Sequence, residues 1–455
     1  MKRVLIIAYY FPPSGGPGVQ RVLKYTKYLA EFGWEPFVLT VENGTFPAVD
    51  YSLLDEIPEK VKIFRTKIFE PYDLYRIFTG KPKNVAIDVN VIKKEDQKLS
   101  FKEKVAEFIR ATFFIPDARV GWLLTAKSKA IQICRQYKID AIYSSSPPYT
   151  CSLIARYTKR KMRIPWIAGF RDPWTGFISA PQRWFIPAKI DKHLEFSVFA
   201  EADLVEVAWK GIAKDALSKY PQLPREKFIH IPNGFDPADF PNIEYRPNPI
   251  FTLTYTGSMY GRRNPQSLFV ALEWLISQNL LNPEKIKIKL IGRFGNEIFE
   301  MIEGTKIKDR IEIIGYLPHS KSLEHLLTSD ALLLIVDESK ESEEIVPGKV
   351  FEYLGTGRPV LAIAPTNGAV AKIIAETKSG LVAHQSEPEK IAQNFLELFK
   401  AWENNTNFQP NWYEIQKYNR KEHAKILSEL LNKLTQGNLS HHKKILDIEK
   451  KSHLD

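Results

Sequence analysis

The same grammar is written twice along this chain: an apolar run, a loop rich in glycine, then a stretch with helical spacing. The first copy opens with "RVLIIAYYF", passes through "PPSGGPG", and continues from about Val19 to Phe32. Apolar residues there fall at Val19, Val22, Leu23, Tyr25 and Leu29, a helical period. Gly33 is placed to end that helix in the left-handed region, and "EPFVLTV" supplies the next strand. Together these make one β-loop-α-β unit, the building block of a doubly wound parallel sheet. The second copy starts at "FTLTYTGSM" and runs through "IKIKLIG", "RIEIIGYL", "ALLLIV", "RPVLAIAP" and "GLVAH", with helical stretches between. Strands alternating with helices in both halves predict an α/β chain with two Rossmann-like sheets. The length, 455 residues, suits two domains of roughly 200 residues each.

The expected boundaries follow from composition. Residues 1–240 form the first domain, with an insertion at about 51–100 that mixes Pro, aromatic and Lys residues. A Pro- and Asn-rich linker, "FPNIEYRPNPI", leads to a second domain over 250–400. Helices over 401–435 and a polar tail over 436–455 complete the chain.

Charge narrows the partners. The net charge is +11, and from Pro58 to Lys138 there are 18 Lys and Arg against 9 Asp and Glu. "RYTKRKMR" adds a second basic cluster. Such surfaces suit anionic lipid, phosphorylated substrates or nucleic acid. No nucleic-acid-binding motif accompanies the charge, so diphosphate ligands and an anionic membrane surface are the expected partners and nucleic acid is not. No run approaches the roughly 20 apolar residues of a membrane span. The start "MKRVLIIAYYFPPSGG" has the outline of a secretion signal but reads as a buried first strand, because a Gly-rich turn and a helix follow it. Cys134 and Cys151 sit in no CxxC or Cys/His cluster, so neither a disulfide framework nor a structural zinc is expected.

Candidate chemistry gathers at strand ends. In "EEIVPGKVFEYLGTGRPVLA", Pro347 favours a first helical turn, so a helix is expected to start there, and Gly348 is suited to close approach by a ligand. The N–H groups of Gly348, Lys349 and Val350 are expected to point outward, forming an anion cradle that Lys349 strengthens. Glu344 and Glu352 flank it, placed to accept hydrogen bonds from hydroxyls on either side of a diphosphate. A second anion candidate is "TGSMYGRRNP", where Arg262 and Arg263 offer guanidinium forks. "IGRFG" lies at the next strand end. In the first half, Gly15 and Gly16 permit close backbone approach, but "PPSGGPG" lacks the GxGxxG spacing of a dinucleotide fingerprint. "GFRDPWTG" puts Arg171 and Asp172 just past another strand.

These residues resemble a known family. The chain is similar to retaining glycosyltransferases of family four, which have the GT-B fold. The resemblance runs from "YYFPPSGGPGVQRVLKYTKYLAEFGWEPFVLT" through "IPNGFDPADF" to "FEYLGTGRPVLAIA", and Glu344 and Glu352 fit the family's E-x7-E signature. It implies an N-terminal acceptor domain and a C-terminal donor-nucleotide domain facing across a cleft, with a C-terminal helix crossing back to the N-terminal domain. It also implies that Glu344 contacts the donor sugar, Glu352 the ribose, and Arg263 (with Arg262 as the alternative) the diphosphate. Gly16 would approach donor or acceptor, and Tyr316-Leu317 would lie near the base. Where many members carry a histidine after "IAGF", this chain has Arg171-Asp172. "RDPW" resembles the RD-x-W variant of enzymes that build bacterial surface polysaccharides, and Asp172 is the replacement candidate.

The expectation is therefore transfer of a sugar, with retention, from a UDP- or GDP-type nucleotide sugar to a glycan or lipid-diphosphate acceptor. Asp172, Arg171 and Glu344 are the catalytic candidates. Fixed cations and a helix terminus would meet the leaving diphosphate's charge, so no metal and no cofactor are expected. The expected location is cytoplasmic, with peripheral attachment to the inner face of the membrane. The alternatives are a sugar-nucleotide epimerase and a non-catalytic sugar-nucleotide-binding protein on the same fold. A nicotinamide-dependent oxidoreductase is weakened by the missing fingerprint.

Overall fold

A computed structural model describes residues 1–46, 48–69, 108–109, 111–176, 182–337, 343–344, 346–406 and 408–436. Much of the expected insertion, most of the "FKEKVAEFIRATFF" helix and nearly all of the polar tail lie outside the described residues. Packing divides the chain into two units: Met1–Asn233 with Arg420–Asp455, and Gly234–Asn419. The division falls a few residues before the Pro-rich linker, and residues 401–419 stay with the second unit.

The first unit is a parallel sheet of seven strands: β1 (Lys2–Ala8), β2 (Trp34–Val41), β3 (Lys62–Thr66), β4 (Ala141–Ser146), β5 (Trp166–Phe170), β6 (Leu204–Val207) and β7 (Phe228–His230). Their order is β3-β2-β1-β4-β5-β6-β7, so the winding reverses between β1 and β4. Helices α1 (Pro17–Tyr28), α2 (Leu123–Tyr137), α3 (Thr150–Met162), α4 (Phe185–Glu201) and α5 (Lys210–Lys219) cover the faces. Alternation along β1 sorts the layers. Leu5 and Ile7 face a core with Ala126, Ile133 and Val198, and Val4 and Ile6 face one with Val22, Tyr25 and Leu29. A short turn of 3-10 helix follows α1, and Gly33 then takes φ 86°, as its place in the sequence leads one to expect.

The second unit holds six parallel strands: β8 (Phe251–Thr256), β9 (Ile286–Ile291), β10 (Ile311–Ile314), β11 (Ala331–Ile335), β12 (Val360–Ile363) and β13 (Gly380–Ala383). Their order is β10-β9-β8-β11-β12-β13, with the reversal between β8 and β11. Around them lie α6 (Gln266–Ser277), α7 (Asn296–Gly304), α8 (His319–Leu327), α9 (Lys349–Thr356), α10 (Ala369–Thr377), α11 (Pro388–Glu403) and the short α12 (Trp412–Ile415). The last helix, α13 (Arg420–Thr435), belongs to the first unit. Its Leu427, Leu430, Leu431 and Leu434 are buried with Val4 and Ile6 of β1.

Both halves are thus doubly wound α/β sheets. Each presents one reversal of strand order, and ligands bind beyond the carboxyl ends of strands at such places.

Candidate functional site

In the second unit β8 and β11 pair only where Ala331 and Leu332 meet Leu253 and Thr254. Tyr353 of α9 occupies the place where the two strands part. Its hydroxyl accepts from the Thr256 amide at 3.0 Å and donates to the Leu333 carbonyl at 3.2 Å. Burial pushes this phenol up to about 12.

Lys349 lies four residues before Tyr353, on the same face of α9. Its ammonium is 3.8 Å from the centre of the Tyr255 ring, close enough for a cation–π contact. Nζ is buried and has no hydrogen-bond partner among the described residues. Burial, then the neighbouring Arg263 guanidinium, push its pKa down to about 7, and Glu352 opposes them. Arg263 is half-buried, and its Nε is likewise buried without a partner. Arg262 beside it is exposed. Of the two guanidinium candidates, it is Arg263 that bears on Lys349.

Two glycines make this arrangement possible. Gly257, just past β8, has φ 113°, and a Cβ there would stand 2.8 Å from Lys349 Nζ. Gly292, past β9, has φ 144°, and a Cβ there would run into the Gly257 carbonyl. The loop ends after β8 and β9 therefore close on each other, and the missing Cβ at Gly257 leaves room for the buried ammonium. A buried, unpaired ammonium is costly unless something neutralises it. Here two neighbouring cations carry buried donors with no partner among the described residues, which is a chemistry suited to an anion.

The rim carries the remaining candidates. Glu352, three residues after Lys349, has Oε1 3.0 Å from Nε2 of His319, the first residue of α8. Sequence reasoning missed His319, although it follows directly on "GYLP". Tyr316 is exposed and the Arg293 guanidinium lies 4.9 Å from its ring centre, while Leu317 beside it is half-buried. Glu344 stands exposed in a turn.

One expectation is corrected. Helix α9 begins at Lys349, with Gly348 as its N-cap, not at Pro347. The first turn is tight, so the Val350 amide donates to the Pro347 carbonyl at 3.1 Å and is not held outward for a ligand. Gly348 is exposed, and a Cβ on it would meet nothing within 4 Å.

In the first unit the other candidates gather beyond β1, β4 and β5. Gly16 has φ 86° and open space where a Cβ would stand. Gly15 is packed instead: its amide donates to the Ala48 carbonyl at 2.9 Å, and a Cβ would press on Asp50. Arg171 donates to the Ser145 hydroxyl and the Pro147 carbonyl, and its guanidinium lies 5.9 Å from the Tyr10 ring centre. Asp172 is half-buried, and burial pushes its carboxyl up against the pull of Arg171.

The loop that carries them is anchored by two buried carboxylates one turn apart on α4. Asp191 accepts from Trp174 Nε1 and from Arg183 Nε, each at 2.8 Å. Glu195 accepts from the Thr175 amide at 3.0 Å, the Thr175 hydroxyl at 2.6 Å and the Tyr220 hydroxyl at 2.8 Å. Trp174 also stacks on Tyr149, with ring centres 4.6 Å apart. Neither Asp191 nor Glu195 was legible as a positioning residue, because helix carboxylates usually face water.

A family model described as Glycosyltransferase Family 4 matches residues 85–239, and one described as Glycosyl transferases group 1 matches residues 247–415. The chain is a GT-B glycosyltransferase. Among solved structures, this glycosyltransferase is similar to Anabaena Alr3699/HepE in complex with UDP, at 13% identity and a TM-score of 0.59, over 95% of this chain and 100% of that one. It is also similar to sucrose-phosphate synthase from Thermosynechococcus elongatus, at 12% identity and a TM-score of 0.59, over 96% of this chain and 100% of that one. A third is WaaG, a glycosyltransferase involved in lipopolysaccharide biosynthesis, at 15% identity and a TM-score of 0.52, over 93% of this chain and 99% of that one. At such identities the likeness is one of fold. No curated protein matches by sequence.

Proposed function

We propose that this glycosyltransferase takes a sugar from a nucleoside-diphosphate sugar and passes it, with retention at the anomeric carbon, to a glycan or lipid-diphosphate acceptor during cell-surface polysaccharide assembly. The observation that carries the donor class is the pair of unmet donors on neighbouring cations, Lys349 Nζ and Arg263 Nε. A diphosphate supplies the acceptor oxygens both lack. That Alr3699/HepE was solved with UDP on the same fold supports the base-plus-diphosphate reading.

The residue roles in this reading are those the family resemblance implies. Lys349 and Arg263 hold the diphosphate and stabilise its charge as the glycosidic bond breaks, the step in which preorganised cations count most. Because those charges are fixed in the protein, the reading assigns no metal and no cofactor to the step. Glu352 receives the ribose hydroxyls, exchanging its His319 contact for them. Tyr316 and Leu317 lie toward the base, and Glu344 toward the donor sugar. Arg171 and Asp172 serve the acceptor side of the reaction. The reading places the enzyme in the cytoplasm at the inner face of the membrane, where a lipid-linked acceptor would be met.

A thermal-shift panel of UDP-, GDP-, ADP- and CMP-sugars tests the donor class. A ligand that binds the native state raises its apparent stability. One nucleotide series is expected to raise the melting temperature, and no shift from any at millimolar concentration sinks the reading. Incubation of the binding sugar nucleotide without acceptor separates transfer from epimerisation, since an epimerised sugar nucleotide contradicts the transferase reading.

A further inference from the structure

The first turns of helix α4 reverse the usual pattern, although Val198 and Phe199 near its end join the core. A surface helix ordinarily turns its charges outward and its apolar side chains to the core. Here the acids of its first three turns point inward: Asp191 is buried against Trp174 and Arg183, and Glu195 against Thr175 and Tyr220. The outward arc carries Phe185, Ile186 and Ile190, which are 77%, 53% and 46% exposed. Lys189, Lys192 and His193 are exposed on the same arc. From Phe185 to His193 no carboxylate faces out.

The apolar surface continues beyond the helix. Trp184, also exposed, donates its indole N–H to the Thr112 hydroxyl at 2.9 Å. Phe113, the residue after Thr112, is 68% exposed. Arg183 pins the two segments together by donating to the carbonyls of Ala111, Phe114 and Pro116 at 2.7 to 2.9 Å. The exposed rings are thus carried on a rigid frame, and large exposed apolar patches mark interaction surfaces.

We propose that this face of α4, with Trp184 and Phe113, is a docking surface for a membrane rich in anionic lipid. Charge complementarity selects that occupant. Apolar side chains interleaved with lysines, and a tryptophan at the edge, suit the boundary between headgroups and acyl chains. A second copy of the chain fits worse, because a symmetric contact would set Lys189 and Lys192 against themselves. No helix among the described residues is long and apolar enough to cross a membrane; the attachment proposed is through this surface. The inference supplies the surface for the membrane attachment named under the proposed function, and it rests on that reading only for its biological sense.

The test is co-sedimentation of the full chain with vesicles, without donor or acceptor present. Vesicles of phosphatidylcholine alone are compared with vesicles containing phosphatidylglycerol. Binding is expected to the anionic vesicles and to weaken with salt. Phe185→Ser with Ile186→Ser and Ile190→Ser should weaken it about tenfold or more, as should Lys189→Glu with Lys192→Glu. These residues are exposed, so melting temperatures should stay near wild type, and the charge variant keeps the test valid if the serine variant unfolds. Absence of binding by wild type, or variants that bind as wild type does, overturns the proposal. So does a wild-type dimer in sedimentation that either variant dissociates, because the occupant is then a second copy. Donor thermal shifts, measured separately, are expected to be unchanged in both variants, so failure here leaves the donor reading standing or falling by its own data.

Discussion

The ammonium of Lys349 rests 3.8 Å from the centre of the Tyr255 ring and has no hydrogen-bond partner among the described residues. Tyr255 belongs to β8 and Lys349 opens α9, so the contact spans the reversal of strand order in the second sheet. The enzyme holds an unsatisfied positive charge at the place where an α/β sheet binds its ligand.

That charge should show in stability against pH. An ordinary lysine titrates near 10.5, and this one is pushed down to about 7, chiefly by burial. Between those values the unfolded chain binds more protons than the folded one, so stability due to this group rises as pH rises through that window. Lys349→Met should remove that contribution. Denaturant unfolding without ligand at about pH 6 and about pH 9 should show wild type gaining on the variant at the higher pH. Equal pH dependence of the two proteins would contradict the depressed pKa.

The same titration governs the ligand. Above about pH 7 an anionic donor must bring a proton to Lys349 when it binds. Affinity for the sugar nucleotide should therefore fall as pH rises from neutral toward 9, and Lys349→Met should bind weakly with a flatter profile. Donor titrations across that range check both.

Gly257→Ala puts a methyl group 2.8 Å from Lys349 Nζ on a backbone at φ 113°. The strain should cost about 1–3 kcal/mol, and the displaced lysine should abolish the donor-dependent thermal shift. Gly261→Ala has φ 61° but open space, so it should leave the donor shift in place.

Tyr353→Phe removes one hydroxyl that serves both Thr256 and Leu333. It leaves a buried amide unpaired, so a loss of about 1–3 kcal/mol in denaturant unfolding is expected.

Glu195→Gln frees the loop after β5 from its anchor at Thr175 without touching the second unit. Turnover should drop while donor affinity stays at the wild-type value. Parallel losses in both would refute a positioning role confined to the Arg171-Asp172 loop.

Much of the architecture was legible because uninterrupted apolar runs such as "ALLLIV" and "RPVLAIAP" have one economical home, a buried parallel strand. Arg263 and Lys349 were legible as candidates for an anion site, being cations at strand and helix ends. What local patterns could not carry was their mutual dependence. Gly257 and Lys349 are far apart in sequence, and only the fold sets a missing Cβ beside the lysine. Asp191 and Glu195 escaped notice because a carboxylate on a helix reads as solvated until the tryptophan and threonine it holds are seen. The Val350 amide was misjudged because the helix start shifted by two residues, which spends that N–H inside a tight turn.

The central claim is that Lys349 and Arg263 form a diphosphate site. It is tested most directly by calorimetric titration of UDP, GDP and the matching nucleosides into wild type and into Lys349→Met with Arg263→Ala. One nucleoside diphosphate should bind wild type at least about a hundredfold more tightly than its nucleoside, and the double variant should lose that advantage. A diphosphate that binds no better than its nucleoside, or a double variant that keeps the wild-type preference, would contradict the account.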